Sequence, residues 1–210
     1  MNLCYDLHRL FNQLPRYHYP YDLNHAPQNG IYILFERGEK AHGGDRIVHI
    51  GSHRGDDRLI GRLDEHYINE NKDRSIFRKN IGRALLAKNE DAFLDKWDMD
   101  RTTRKAKENY WSQADSEKQA IVESKVTAII RTNFSFSLIK MDMGEIRKLY
   151  GSRIIATIAH CSECKPSDNW LGRYSPVEKI RASGLWNVQH VGGKTLNKKE
   201  FMFLKELLLK

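Results

Sequence analysis

The sequence predicts a mixed α/β (α+β) domain, a small three-stranded central sheet flanked by helices, with elaborations at both ends. Three observations carry that prediction. Gly30-Ile31-Tyr32-Ile33-Leu34-Phe35 is a β-prone run bounded by Asn29-Gly30 and Arg37-Gly38. Arg46-Ile47-Val48-His49-Ile50-Gly51 is a second such run, close enough to pair with the first as a hairpin. Phe134 to Ile139 alternates apolar and polar residues, as a half-buried strand does, with helix-period segments before and after it.

The remaining elements follow in order. Leu7, Leu10 and Phe11 are spaced for a short helix that Leu14-Pro15 ends. Residues 56–70 read as a helix, with Asp56 and Asp57 near its N-terminus and Leu59, Leu63 and Tyr67 at four-residue steps. Asp73 is placed to cap a second helix that buries Ile76, Phe77, Ile81 and Leu85. Residues 98–114 are polar and charged, which suits a surface loop or lid, and a long helix then runs from 115 or 116 to about 131. Asp142 and Glu145 form a carboxylate variant of the capping box at the start of a helix through Ile154 and Ile158. Residues 161–191 are loop-like, and Phe201, Leu204, Leu207 and Leu208 mark a C-terminal amphipathic helix.

Composition limits the function classes. The chain has 210 residues, 40% hydrophobic and 30% charged, enough to fold around a real core. No apolar run is long enough to span a membrane, and residues 1–21 contain no secretory h-region, so a cytoplasmic location is expected. Three cysteines are too few for a disulfide framework. The net charge of +8 favours polyanionic partners, nucleic acid first among them.

Gly30-Ile31-Tyr32, then His49-Ile50-Gly51, then Arg62 and His66 within Arg62-Leu63-Asp64-Glu65-His66, form an ordered set. In this set the chain resembles the GIY-YIG nuclease superfamily across residues 28–170. Asn71 to Asn80 and Asn169-Trp170-Leu171-Gly172-Arg173 extend the likeness toward a bacterial branch similar to type II restriction endonucleases. The resemblance implies a nuclease-like domain over 28–170, an N-terminal extension over 1–27, and a C-terminal extension over 171–210 whose helix packs on the same domain.

Phosphodiester hydrolysis needs a deprotonated water, neutralisation of the charge that develops on phosphorus, and a stabilised leaving oxygen. Tyr32 can take a proton if a nearby cation or metal assists its normally weak acidity. Arg62 offers a permanently charged planar fork for phosphate, and His66, four residues on, shares its helix face. His49 stands where the family usually has Tyr; it retains a hydrogen bond to phosphate without inheriting the Tyr's role.

The metal-binding Glu that the resemblance implies falls on Gly151, in Tyr150-Gly151-Ser152-Arg153-Ile154-Ile155. Mg²⁺, or Mn²⁺ in its place, needs carboxylate oxygens. Gly151 therefore reads as an introduced inactivating replacement, a naturally inactive copy, or a site served by another carboxylate; the first is favoured. Glu123 imitates the motif but precedes the third strand, and a solvated helix face suits it better. Asn169 is both a turn residue and similar to a polar residue used near the active site by some family members. Cys161-x-x-Cys164 beside His160 lacks a second pair at finger spacing, so zinc is not expected.

Arg74, Arg78, Lys79 and Arg83 make a helix of one sign and the first candidates for phosphate-backbone contact; Arg101, Arg104 and Lys105 are the next. The sequence thus points to a metal-dependent endonuclease of double-stranded DNA, of restriction type, with a homodimer suited to a palindromic site. A DNA-binding module that has lost hydrolysis and a structure-specific repair nuclease are the alternatives.

Overall fold

The computed structural model describes residues 2–99 and 113–208. Helix α1 (Leu3–Phe11) leads to a two-residue strand β1 (Tyr17–His18), followed by the hairpin β2 (Gly30–Ala41) and β3 (Gly44–Ser52). Helices α2 (Leu59–Tyr67), α3 (Ile76–Lys88), α4 (Leu94–Asp98) and α5 (Gln113–Asn133) precede β4 (Phe134–Lys140). Helix α6 (Gly144–Ala159), a 3₁₀ turn at Leu171–Tyr174, α7 (Glu178–Ser183) and α8 (Lys198–Leu208) complete the described chain.

The sheet has four strands in the order β1-β4-β2-β3, with every neighbouring pair antiparallel. The sequence reading missed β1 because two residues carry no periodicity; Tyr17 and His18 pair with Phe136 and Ser135 all the same. The hairpin turns through His42 and Gly43, both at positive φ (52° and 78°), the backbone of the tight turns that match strand twist.

Alternation along β2 divides the core into two layers. Ile31, Ile33 and Phe35 pack against α1, α6 and α8 through Leu7, Phe11, Ile154, Ile158 and Leu204. Tyr32 and Leu34 face the other way, onto α2, α3 and α5 through Leu63, Phe77, Ile81, Val126 and Ile130. Helices therefore cover both faces of the sheet. Among the described residues no helix is long and apolar enough to cross a membrane.

Three helix starts differ from those the sequence predicts. Ser75, not Asp73, caps α3, accepting the Arg78 N–H at 3.2 Å. Helix α2 starts only at Leu59, after Arg58, with no side-chain cap. Helix α6 follows Met143 and also lacks a side-chain cap, while Asp142 is near Lys140 at 3.7 Å. Short polar side chains compete for the same orphan N–H groups, and the backbone path decides which of them arrives.

On β2, Glu36 accepts the indole N–H groups of Trp170 (2.9 Å) and Trp186 (3.0 Å), which ties the loop-like C-terminal third to the sheet. Burial raises its carboxyl from an ordinary 4.5 to about 7, against the pull of the two indoles. A carboxyl that holds its proton more tightly when folded stabilises the fold fully below pH 4.5. That contribution disappears as pH rises through 7. Glu36→Gln, which can still accept from both indoles, should gain stability relative to wild type by about 1–3 kcal/mol between pH 4.5 and 8. Urea midpoints of the two proteins across that range provide the check, and a pH-independent difference would refute the assignment.

Candidate active site

The two tripeptides are adjacent strands, with Tyr32 directly opposite Gly51. Their glycines are dictated by close approach. A Cβ on Gly51 would lie 2.1 Å from the Tyr32 hydroxyl oxygen and Cζ, and one on Gly30 would lie 2.2 Å from the Ile139 carbonyl oxygen. The Tyr32 ring thus lies across Gly51, and β4 closes on Gly30. A side chain at either position would displace Tyr32 or part the strands.

The regular register from Tyr32 to Leu34 puts His49 on the same sheet face as Tyr32, and a register shift follows it. Leu34 pairs with His49 and Phe35 with Ile47, so Val48 is the extra residue of a β-bulge. The His49 ring lies 6.0 Å from that of Tyr32 and 4.9 Å from Phe77. Its Nδ1 is buried with no hydrogen-bond partner among the described residues. Burial, helped by the Arg62 charge, lowers its pKa to about 3, so the imidazole is neutral.

Helix α2 brings His66 and Arg62 to the same place. Tyr32 Oη and His66 Nε2 are 2.7 Å apart, and His66 Nδ1 is 2.7 Å from Ser75 Oγ. Burial, then the charge of Arg62, holds His66 well below its usual pKa, so it is a neutral imidazole. Burial also raises Tyr32, and the Arg62 charge opposes that rise. With the phenol protonated, Tyr32 O–H donates to Nε2 and Nδ1–H donates to Ser75 Oγ, which also accepts the Arg78 amide. The result is a buried chain from phenol through imidazole to hydroxyl. Ser75 was missed in the sequence, although a serine just before Ile76-Phe77 is an N-cap signal.

Arg62 lies above these groups and reaches solvent. One guanidinium nitrogen donates to Glu65 at 2.5 Å and to the Arg74 carbonyl at 2.7 Å. Tyr32 is 1% exposed and His66 0%, so Arg62 is the member of the set that reaches solvent.

Position 151 lies on α6, four residues after Arg147 and so on the same helix face. Arg147 reaches the Gly55 carbonyl at 2.9 Å and Asp56 at 3.2 Å, in the segment that leaves β3 after His49-Ile50-Gly51. Gly151 is buried, yet a Cβ there would meet nothing within 4 Å. A crevice is present where a side chain would go.

Hard divalent ions take oxygen ligands. Around Tyr32 the described groups are two imidazoles, a guanidinium and a phenol, and the neighbouring carboxylates are engaged. Glu65 bonds to Arg62, Asp64 accepts from Tyr21 at 3.2 Å, and Glu123 is held by Arg78. The residues present do not fit a Mg²⁺ site.

The remaining sequence candidates divide. Arg74 is exposed, whereas Lys79 and Arg83 are half-buried and both bound to Asp98, through its carbonyl and its carboxylate. Arg78 must be withdrawn from the surface set. It is 0% exposed and donates to the Glu123 carboxylate, the His66 carbonyl and Thr127. Glu123 is correspondingly buried at 2%, not on a solvated face. Asn169 is an exposed turn residue between Asp168, paired with Arg173, and Trp170, anchored on Glu36. Arg101, Arg104 and Lys105 lie outside the described residues, as does most of the expected 98–114 loop.

Sequence reasoning also missed His53, whose Nε2 accepts the Gly30 N–H at 3.2 Å. Asn187 was missed as well: its side chain accepts from the Ile50 N–H (3.0 Å) and donates to the Ile50 carbonyl (2.8 Å), beside the second tripeptide.

The family model for the GIY-YIG domain matches residues 5–209, nearly the whole chain. The chain belongs to the GIY-YIG family. Neither a curated protein nor a solved structure gave a match. GIY-YIG domains are nuclease domains, generally dependent on a divalent metal ion, and DNA is the substrate that membership implies. The match extends across the segments expected as N- and C-terminal extensions. In the structure these segments supply α1, β1, α7 and α8 to the fold.

Proposed function

We propose that this GIY-YIG chain is a restriction-type endonuclease framework for double-stranded DNA, metal-dependent by design and disabled by Gly151. The observation that carries the proposal is the buried Tyr32–His66 hydrogen bond beneath Arg62. The bond joins phenol, imidazole and serine hydroxyl in one chain beneath a guanidinium that reaches solvent, the arrangement a proton relay needs. In this reading Arg62 leaves Glu65 to clamp the scissile phosphate, His49 Nδ1 supplies a further polar contact, and Tyr32 takes a proton as its own passes to His66. Arg74, Lys79 and Arg83 contribute backbone contacts, and Asn169 together with Arg101, Arg104 and Lys105 stays in the proposed interface. No step is assigned to a metal ion, because among the described residues the carboxylates near Tyr32 are already bonded to other side chains.

Cleavage of plasmid and phage DNA in Mg²⁺ or Mn²⁺ tests this, with the chain and Gly151→Glu side by side. Discrete fragments from Gly151→Glu alone are expected, since the crevice accepts the side chain and replacing an interior helix glycine gains up to about 1 kcal/mol of propensity. If both proteins bind duplex DNA and neither cuts, the enzyme reading fails in favour of a binding module. Cleavage confined to branched DNA would identify a repair nuclease.

A further inference from the structure

On the sheet face opposite Tyr32, segments remote in sequence bring sulfur and imidazole donors together. Cys4 and His8 lie on α1, His42 at the β2–β3 turn and Cys164 in the loop after α6. One ligand atom from each lies within 4.8 Å of the others. Cys4, His8 and Cys164 are 3%, 0% and 4% exposed, and the His42 side chain 3%. All three cysteines of the chain converge here, since Cys161 Sγ is 3.5 Å from His42 Nε2. Sequence spacing set zinc aside because no second pair follows Cys161-x-x-Cys164; the partners come from upstream.

We propose that Cys4, His8, His42 and Cys164 hold one tetrahedral zinc ion that fastens α1 and the loop after α6 to the β2–β3 turn. Two thiolates and two imidazoles are a donor set for a closed structural zinc site, whereas hard ions such as Mg²⁺ take oxygen. The spacing agrees. Zn–S and Zn–N bonds of about 2.3 and 2.0 Å at a tetrahedral angle put sulfur and nitrogen about 3.5 Å apart and two sulfurs about 3.7 Å apart. His8 Nε2 lies 3.8 Å from Cys164 Sγ, and Cys4 Sγ lies 3.3 Å from Cys164 Sγ, so each pair needs to move by only a few tenths of an ångström.

The outer contacts orient both imidazoles. His8 Nδ1 is 2.9 Å from the Cys4 carbonyl oxygen, so Nδ1–H donates there and leaves Nε2, 3.8 Å from Cys164 Sγ, for the ion. The Ile47 N–H donates to this nitrogen at 3.2 Å and gives up that bond to the ion. His42 Nδ1 faces the Glu163 carboxylate at 3.6 Å, which leaves its Nε2 for the ion in the same way. Metal-bound histidines make such second contacts to a carbonyl or a carboxylate. Cys4 and Cys164 pack with Ile31 and Ile33, and Tyr32 with the opposite layer, so the ion is a fastener and takes no part in cleavage.

Zinc content of the purified full-length chain, as isolated and after apo-protein is reloaded with zinc, is the test. One zinc per chain is expected, with cobalt(II) in its place giving a tetrahedral spectrum with thiolate charge transfer. Cys4→Ser and Cys164→Ser should each lower zinc below about 0.1 per chain, because a site with one thiolate removed loses most of its affinity. His8→Gln and His42→Gln should weaken retention against a chelator, whereas Cys161→Ser should retain the ion. Apo-protein that takes up neither zinc nor cobalt overturns the proposal. Full zinc in Cys4→Ser, or loss in Cys161→Ser with retention in His8→Gln, overturns the donor set. The wild-type cobalt spectrum decides even if a variant fails to fold.

Discussion

In a Gly151→Glu background, Tyr32→Phe is expected to cut DNA about 10²–10⁴-fold more slowly, the usual contribution of a positioned acid or base. The substitution keeps the ring that lies across Gly51 and removes only the oxygen 2.7 Å from His66 Nε2. The imidazole then loses its partner at Nε2 in a buried setting, which costs about 1–3 kcal/mol. The melting temperature should therefore fall by several degrees while the cooperative transition survives. Cleavage rate and thermal melting measured on the same preparation separate the two effects. An unchanged rate would remove Tyr32 from the proton path, and a rate loss that only follows the unfolded fraction would make its role one of packing. DNA affinity should be nearly unchanged, because Tyr32 is covered and Arg62 is the proposed phosphate contact.

Glu123→Ala should destabilise the fold by about 3–5 kcal/mol, the cost of leaving one buried charge uncompensated. Glu123 accepts two bonds from Arg78, at 2.7 and 3.1 Å, and also the Lys72 amide. Arg78 uses its other donors on the His66 carbonyl (2.9 Å), the Glu123 carbonyl (3.0 Å) and Thr127 (2.8 Å). The pair joins α2, α3 and α5 under the candidate active site, and it fixes the backbone of the histidine that receives the Tyr32 hydrogen bond. Arg78→Met with Glu123→Leu should lose far less than Glu123→Ala, because replacing both charges with apolar groups of similar volume also removes their desolvation cost. Denaturant unfolding of the single and double variants checks this; equal losses would mean that volume, not charge, decides the site.

The Arg78–Glu123 pair also shows where sequence reading stopped. The sequence reads Arg78 as a surface phosphate contact and Glu123 as part of a solvated face, and each is buried because of the other, 45 positions away on a different helix. On α3, Ile76 is 49% exposed while Arg78 is fully covered, a reversal that periodicity cannot signal because it counts polarity and not partners. The hairpin, β4 and the tripeptide glycines were legible, since strand runs and tight turns are written locally. Tyr32, His49, Arg62 and His66 were found as an ordered set, and the structure groups them. Ser75, His53 and Asn187 were not, because their roles depend on a strand register and a helix start that were set only approximately. Cys4, His8 and His42 carried no motif at all, as their spacing becomes a pattern only after folding.

The Trp186–Asn187 segment has one more effect. The Trp186 N–H donates to the Val48 carbonyl at 2.8 Å, and Asn187 occupies both the N–H and the carbonyl of Ile50, so the outer rim of β3 has its bonding groups satisfied by its own chain. The opposite rim is β1, two residues long. A second copy therefore meets little free template along the β3 rim. Strand addition along the β3 rim is disfavoured for the same reason.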